Sequence, residues 1–345
     1  GGSLESGDRV KFDSYLRSLA ANPPPPTGTI FDYTVIPESM EWEEWLPTPW
    51  QFPVAVDNTN PPLSRFIVPT ADSTRAESLV RLLHRQGAPV LITGGHGTAK
   101  TTTAQRVLDS LDPARHASKG LSFSGCTTAS AFQGAVESEL EKRGGRNFGP
   151  ASGRKLTFFV EDANLPEPNE WGDQPALEVL RELVEAETVC FLDKDKRGEL
   201  KRVEDVSFVC SMRHAGAGSG KPSLPNRLLR HFFALNLTAA SAATVASMFT
   251  PYVTGHVPSD LVPFEYGELL NKTPKATAEL WLWARKTLLP TPNKFHYSFS
   301  LHDLSRVFLG VLRVPTEHLI KQSSDFVHLW RHEVLRSFSD KLSTE

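Results

Sequence analysis

Residues 88–104 read AlaProValLeuIleThrGlyGlyHisGlyThrAlaLysThrThrThrAla, and this run decides the fold. An apolar strand, Val90 to Thr93, leads into a glycine-rich turn, and Lys100 and Thr101 then open a polar helix. That is the order of parts in a phosphate-binding P-loop. Gly94, Gly95 and Gly97 tolerate the positive φ that turns successive backbone N–H groups toward one point. A helix starting at Lys100 aims its N-terminal N–H groups and dipole at the anion. In this arrangement Lys100 reaches the β- and γ-phosphates of a bound nucleoside triphosphate, and the Thr101 hydroxyl ligates Mg²⁺. Thr98 and Thr102 complete the loop and the helix start. Ala99 stands where a second glycine is usual, which predicts a negative φ there.

Composition sets the frame around this loop. A chain of 345 residues has room for about two or three domains. It is 39% hydrophobic, enough for a globular core, and its net charge of −3 provides no basic field for nucleic acid. The three cysteines, Cys126, Cys190 and Cys210, have no paired spacing, which argues for a reducing compartment and against a metal cluster. No apolar run approaches the roughly 18 residues of a membrane span. The opening GlyGlySerLeu has neither an initiator Met nor signal-peptide character, so the chain reads as a fragment or a processed product.

Along the chain, residues 8–20 have helical spacing that sets Val10, Phe12, Tyr15, Leu16 and Leu19 nearly on one face. The Pro23–Pro26 run ends that helix in a stiff linker. Residues 29–54, rich in aromatics and proline, read as an extended segment draped over another surface or as an irregular loop with its own small core. From Ile67 strands and helices alternate. Helices are predicted over about 74–86, 100–111, 128–143, 174–187 and 224–230. Strands are predicted at 90–93, 120–124, 155–160, 206–210 and 232–237, which argues for a parallel sheet covered on both faces. From Ala239 the strands stop, and residues 241–250, 275–288 and 301–312 have the pattern of a helical lid.

A P-loop needs acidic residues on a neighbouring strand, and PhePheValGluAsp (158–162) supplies them. Glu161 is assigned to the Mg²⁺ side and Asp162 to the attacking water. Most such ATPases have Asp then Glu, so the side-chain lengths are exchanged here. The shorter Asp162 falls about one methylene short of the water, and a misplacement of about 1 Å can cost about a hundredfold in rate. Arg227 and Arg230 lie three apart on one helix face just before the last strand. They suit either an arginine finger reaching a neighbour's γ-phosphate or an interface salt bridge.

Several longer phrases resemble one family closely. LeuLeuProThrProAsnLysPheHisTyrSerPheSerLeuHisAspLeuSerArgValPheLeuGly (288–310), GlyThrAlaLysThr (97–101), AsnGluTrpGlyAspGln (169–174) and IleValProThr (67–70) are similar to the third AAA+ module of an axonemal dynein heavy chain. PheSerGlyCysThrThr (123–128) and PheGlnGlyAlaValGluSerGluLeuGluLysArg (132–143) resemble the outer-arm gamma-type chains. The opening GlyGlySerLeu and residues 8–17 resemble the last helices of the second module. The resemblance implies a three-layer α/β AAA+ fold with a five-stranded parallel sheet and a C-terminal helical lid. It divides the chain into the end of the preceding module and linker (1–27), an extended segment (28–66), the large nucleotide-binding domain (67–238) and the lid (239–345).

By the same resemblance Val68, Pro69 and Thr70 line the adenine pocket. Ala99 matches the alanine usual in the subfamily, Glu161–Asp162 replaces a usual Asp-Asp, and Arg227 and Arg230 serve the preceding module's nucleotide. The loop 211–221 stands where a γ-phosphate-sensing loop belongs, and His302 stands in place of a lid arginine. Histidine is shorter than arginine and mostly neutral at pH 7, so lid sensing is weakened, and Arg306 one turn on compensates only in part. The implied function is regulatory: ATP or ADP bound with Mg²⁺, slow hydrolysis, and a nucleotide state passed to neighbouring AAA+ modules of a ciliary motor. The implied partners of the parent chain are intermediate and light chains and microtubules, in the axoneme of a cilium or flagellum and the cytoplasm, without nucleic acid or membrane. A nucleotide-free spacer and a fully active non-ciliary ring ATPase are the alternatives.

Overall fold

Val90, Leu91 and Ile92 are each completely buried, and the reason is their place in the sheet. A strand covered on both faces needs a continuous apolar run rather than an alternating one. The computed structural model describes residues 2–36, 38–52, 67–191, 196, 198–214, 222–256, 264–314 and 323–343. In chain order the first elements are α1 (Ser6–Leu19), the short ladder of β1 (Tyr33–Val35) and β2 (Trp42–Glu44), α2 (Ala71–Arg85), β3 (Val90–Gly94), α3 (Lys100–Asp109), β4 (His116–Ser122) and α4 (Ala129–Glu137). Next come β5 (Leu140–Gly144), β6 (Asn147–Pro150), β7 (Lys155–Glu161), α5 (Pro175–Glu185), β8 (Thr188–Cys190), β9 (Leu200–Val203), β10 (Val206–Arg213), α6 (Asn226–Leu229) and β11 (Phe233–Leu237). Among the described residues four helices follow: α7 (Ala242–His256), α8 (Phe264–Thr287), α9 (Leu301–Leu312) and α10 (Ser323–Phe338).

The main sheet has five strands in the order β11-β3-β10-β7-β4, every pairing parallel. Alternate residues feed two cores. Leu91, Phe158, Phe208 and Cys210 face Phe132 and Val136 of α4 and Leu177 and Leu180 of α5. Val90, Ile92, Phe159 and Val209 face Val80 of α2 and Ala104 and Val107 of α3. This is the expected three-layer α/β P-loop architecture of the AAA+ class. Burying side chains of this size contributes about 1.5–3 kcal/mol each.

Two compact units result, Gly1–Glu44 with Arg75–Thr238 and Trp45–Thr74 with Ala239–Glu345. The second unit has its own core around Trp281, Leu304 and Phe326. Phe249 stacks on Phe308 at 4.5 Å, and the Trp281 indole donates to the Phe299 carbonyl at 3.1 Å.

The structure departs from the sequence reading in several places. The predicted helix over 128–143 stops at Glu137, and residues 140–150 turn back as a hairpin through Gly145, whose φ is +57°. With β8 and β9 this hairpin makes a second, four-stranded sheet in the order β5-β6-β9-β8 that the sequence reading lacks. Residues 67–70 form no strand, and helix α10 was not anticipated. On α1, Phe12 and Leu16 are half-buried while Val10, Tyr15 and Leu19 are 58, 61 and 64% exposed, so the predicted apolar face is only partly covered among the described residues.

One buried polar contact gives a pH signature. His84 of α2 is 8% exposed, and its Nε2 lies 2.7 Å from the Thr157 hydroxyl of β7. Burial, and then the nearby His116 and Lys155, hold the His84 pKa below its ordinary 6.5. The unfolded chain therefore takes up this proton first as the pH falls. The contribution of neutral His84 is complete above about pH 6.5 and declines as the pH drops toward the folded-state value. Urea unfolding of wild type and His84→Gln between pH 8 and pH 5, on the order of the usual histidine range, is expected to show a shallower acid decline in the variant. Parallel curves would exclude His84 as the source.

Candidate nucleotide-binding site

The site is built where β3 stops. A Cβ on Gly94 would lie 2.6 Å from Thr98 Oγ1 and 2.8 Å from the Leu237 carbonyl oxygen, so no side chain fits there. Thr98 Oγ1 donates to the Gly95 carbonyl at 3.1 Å and closes the loop. Gly97 has φ +72°. Ala99 has φ +60° and ψ +26°, which corrects the expectation of a negative φ. The turn needs a left-handed residue directly before α3, and alanine adopts it at a steric cost on the order of 1–2 kcal/mol. Without a capping oxygen at Ala99, the first-turn N–H groups of α3 receive no side-chain cap.

Lys100 Nζ donates to the carbonyl oxygens of Gly94 at 3.1 Å and Gly95 at 2.6 Å, holding its cation against the loop. Thr101 Oγ1 donates to Glu161 Oε1 at the end of β7. Ser122 Oγ, at the end of β4, lies 3.5 Å from Glu161 Oε2. Thr101 and Glu161 therefore form a paired oxygen donor set of the kind a hard cation takes. Thr102 follows in the first turn of α3.

Asp162 leaves β7 with φ +52°, and its carboxylate lies 3.9 Å from Arg213 Nε at the end of β10. Ala163 N donates to the Ser211 carbonyl at 2.9 Å, locking the acidic turn to β10. Fully buried Asn164 donates to the carbonyl oxygens of Arg213 at 3.4 Å and Pro222 at 3.0 Å, while its Oδ1 has no partner among the described residues. Ser122, Asn164 and Arg213 were not singled out from sequence. A polar residue two positions after the strand-ending acidic pair is the one local signal that pointed to Asn164. Of the loop 211–221, residues 215–221 lie outside the described residues.

Arg227 and Arg230 both engage α5 of their own unit. Arg227 Nη2 lies 2.7 Å from Glu178 Oε1, and Arg230 Nη2 lies 2.7 Å from Glu185 Oε1. Arg230, Arg181 and His231 hold the Glu185 carboxyl below its ordinary pKa, with the Arg181 hydrogen bond leading.

Val68, Pro69, Thr70 and His302 belong to the other unit. Thr70 and Ser73 exchange hydrogen bonds at the start of α2, Thr70 N to Ser73 Oγ at 2.9 Å and Ser73 N to Thr70 Oγ1 at 3.1 Å. Val68, Pro69 and Thr70 line a cleft of about 490 Å³ with Trp50 and with Thr244 and Ser247 of α7. His302 is exposed in the first turn of α9, which Asp303 caps through the Ser300 N–H at 2.9 Å. Arg306 Nη1 lies 3.9 Å from Asp303 Oδ1.

The left-handed Ala99 yields a signed prediction. Ala99→Gly is expected to raise unfolding stability by about 1 kcal/mol, because glycine removes the steric cost at positive φ. A right-handed residue there gives the opposite sign. A urea midpoint that falls at constant m would refute the left-handed assignment.

Sequence comparison agrees with this geometry. Residues 56–240 match the family model described as the P-loop containing dynein motor region. Residues 277–345 match an AAA+ lid domain, and residues 1–47 match the dynein heavy chain AAA lid domain. The chain is 34% identical to dynein axonemal heavy chain 5 of Rattus norvegicus over 350 residues, 99% of this chain and 10% of that protein. It is 35% identical to the dynein gamma chain of the flagellar outer arm of Chlamydomonas reinhardtii over 362 residues, 99% of this chain and 8% of that protein. It is 34% identical to dynein axonemal heavy chain 8 of Homo sapiens over 353 residues, all of this chain and 8% of that protein. It spans a tenth or less of the length of these relatives. With its P-loop on β3, its acidic strand end on β7 and its matched lid, the chain belongs to the P-loop dynein motor-region family of AAA+ proteins.

Proposed function

We propose that this chain is the third AAA+ module of an outer-arm, gamma-type axonemal dynein heavy chain, preceded at residues 1–27 by the end of the second module. Its role is to bind ATP or ADP with Mg²⁺, to hydrolyse slowly, and to regulate the minus-end-directed microtubule motor that drives ciliary and flagellar beating. The observation that carries nucleotide binding is the contact of Thr101 with Glu161 beside Lys100, which sits on the loop carbonyls. Lys100 and the first-turn N–H groups of α3 hold the phosphates. Thr101 and Glu161 hold the Mg²⁺, which when bound neutralises phosphate charge. Val68, Pro69 and Thr70 hold the adenine, and His302 attends the phosphates from the lid.

Slow hydrolysis follows from Asp162 and its surroundings. Its carboxylate lies within ion-pair range of Arg213 and is a methylene shorter than a glutamate in that place. Both features oppose its holding a water for attack. Arg227 and Arg230 serve the preceding module's nucleotide, so this site depends on a neighbour for its own arginine, a group worth about 10³–10⁵ in rate. Through the parent chain the partners are neighbouring AAA+ modules, dynein intermediate and light chains and microtubules, in the axoneme and cytoplasm.

Two measurements test this reading. Lys100→Ala is expected to abolish detectable ATP affinity in a titration while leaving the unfolding midpoint near wild type, because Lys100 is half-buried and donates to loop carbonyls. Unchanged affinity would remove the nucleotide assignment. Mg²⁺-dependent turnover by the isolated chain is expected to stay below about 1 s⁻¹, the low end of ordinary enzyme rates. Turnover of several per second would contradict a regulatory site.

A further inference from the structure

The N-terminal segment is tied to the P-loop end of the sheet through one buried side chain, Asn236 of β11. Asn236 is 5% exposed; its backbone makes two contacts with the N-terminal segment, and its side chain meets Leu4, His214 and, at 3.5 Å, the Thr93 hydroxyl of β3. Its N–H donates to the Gly2 carbonyl at 2.7 Å, and its carbonyl accepts from Arg9 Nη2 at 2.9 Å. Its Nδ2 donates to the Leu4 carbonyl at 3.2 Å, and its Oδ1 lies 2.8 Å from His214 Nε2. Arg9 also donates from Nε to the Leu4 carbonyl at 3.2 Å, so Gly2, Leu4 and α1 form one docked unit on the open edge of β11.

The far end of this chain of contacts reaches the nucleotide site. Asn236 pairs with Thr93 in the ladder, and Leu237 pairs with Gly94. On the other side of β3, Arg213 pairs with Gly94, and His214 follows it directly. The Arg213–His214 step thus points one side chain toward Asp162 at 3.9 Å and the other to Asn236 at 2.8 Å. The acidic turn and the N-terminal docking share two adjacent residues. α1 itself is lightly held, since Val10, Tyr15 and Leu19 remain exposed. Elements with little buried apolar area open at low free energy and are the ones a ligand can bias.

We infer that docking of residues 2–19 and nucleotide binding at the P-loop are coupled through Asn236 and His214. Asn236 is a positioning residue and does not touch the reacting atoms. Phosphate binding orders the ends of β3 and β10, which fixes His214 and Asn236 and so favours the docked segment. By linkage, the docked segment raises nucleotide affinity by the same factor. The inference rests on the nucleotide reading of the P-loop and adds its regulation by the segment that enters the module.

The test uses the full chain, with ATP and Mg²⁺ as the probe. In wild type, MgATP is expected to slow amide hydrogen exchange across residues 2–19. Arg9→Ala, remote from the P-loop, is expected to weaken ATP binding about fivefold, the low end of ordinary coupling, and to abolish the nucleotide-dependent slowing. Arg9→Lys, which keeps one cationic donor, is expected to recover part of both. Asn236→Leu is the second variant and removes the side-chain contacts to Leu4, His214 and Thr93. A wild-type ATP affinity that Arg9→Ala and a folded Asn236→Leu leave unchanged would overturn the coupling while the nucleotide reading stands. Exchange at residues 2–19 that is indifferent to MgATP would overturn it as well. Failure of wild type to bind ATP would remove the reading beneath it.

Discussion

No side chain fits at Gly94, and the rest of the site follows from that constraint. β3 lies between β10 and β11, with Arg213 opposite Gly94 on one side and Leu237 on the other. The backbone must turn there with the Leu237 carbonyl 2.8 Å from where a Cβ would stand. The turn then needs two left-handed residues, Gly97 and Ala99, before α3 begins. The buried face of α3, formed by Ala104, Val107 and Leu108, packs against Ile92 and Phe159 and fixes where the helix starts. Lys100 and Thr101 are therefore placed by packing rather than by their own contacts. Strain at Ala99 is tolerated because the surrounding sheet and helix over-determine the turn.

The two acids occupy unlike environments although they are adjacent in sequence. Glu161 is the last residue of β7, and its carboxylate meets the hydroxyl of Thr101 with Ser122 alongside. Asp162 turns out of the strand with positive φ, toward the guanidinium of Arg213. A carboxylate facing hydroxyls suits cation binding. A carboxylate directed at a guanidinium 3.9 Å away is aimed at a cation rather than at a hydroxyl.

The nucleotide-binding layer was legible in the sequence because burial on both faces leaves uninterrupted apolar runs, as in Val90–Ile92 and Phe158–Val160. The small second sheet was not. Its strand β5 reads LeuGluLysArgGly and is exposed beyond Leu140, so it lacks the apolar alternation that marks a half-buried strand. The GlyGly at 144–145 was its one local signal, outweighed by the helical spacing of Phe132 and Val136 upstream. Helix α10 was hidden for a similar reason: Phe326 and Phe338 are buried, but the charged and histidine residues between them dilute the period. At the site, Lys100, Thr101, Glu161 and Asp162 were legible as a motif. Asn236, His214 and Arg213 were not, because their roles arise from strand order, and a β11-β3-β10 arrangement cannot be read from residues lying far apart in the chain.

The arginines of α6 show how one short element can be rigid and exchangeable together. Leu228 is completely buried, which fixes the backbone of a four-residue helix too short to be stable alone. On either side of it, the Arg227 and Arg230 side chains are 55 and 62% exposed and rest on Glu178 and Glu185. Exposed pairs of this kind contribute about 0–1 kcal/mol, so leaving them costs little. A phosphate of a neighbouring module offers a denser anion with bidentate geometry, for which the guanidinium fork is better suited than for a solvated glutamate. The ion pairs to α5 are thus compatible with a role in trans: they keep both guanidinium groups extended on a fixed base without holding them strongly. An arginine buried in a salt bridge would lose several kcal/mol on release and would not serve.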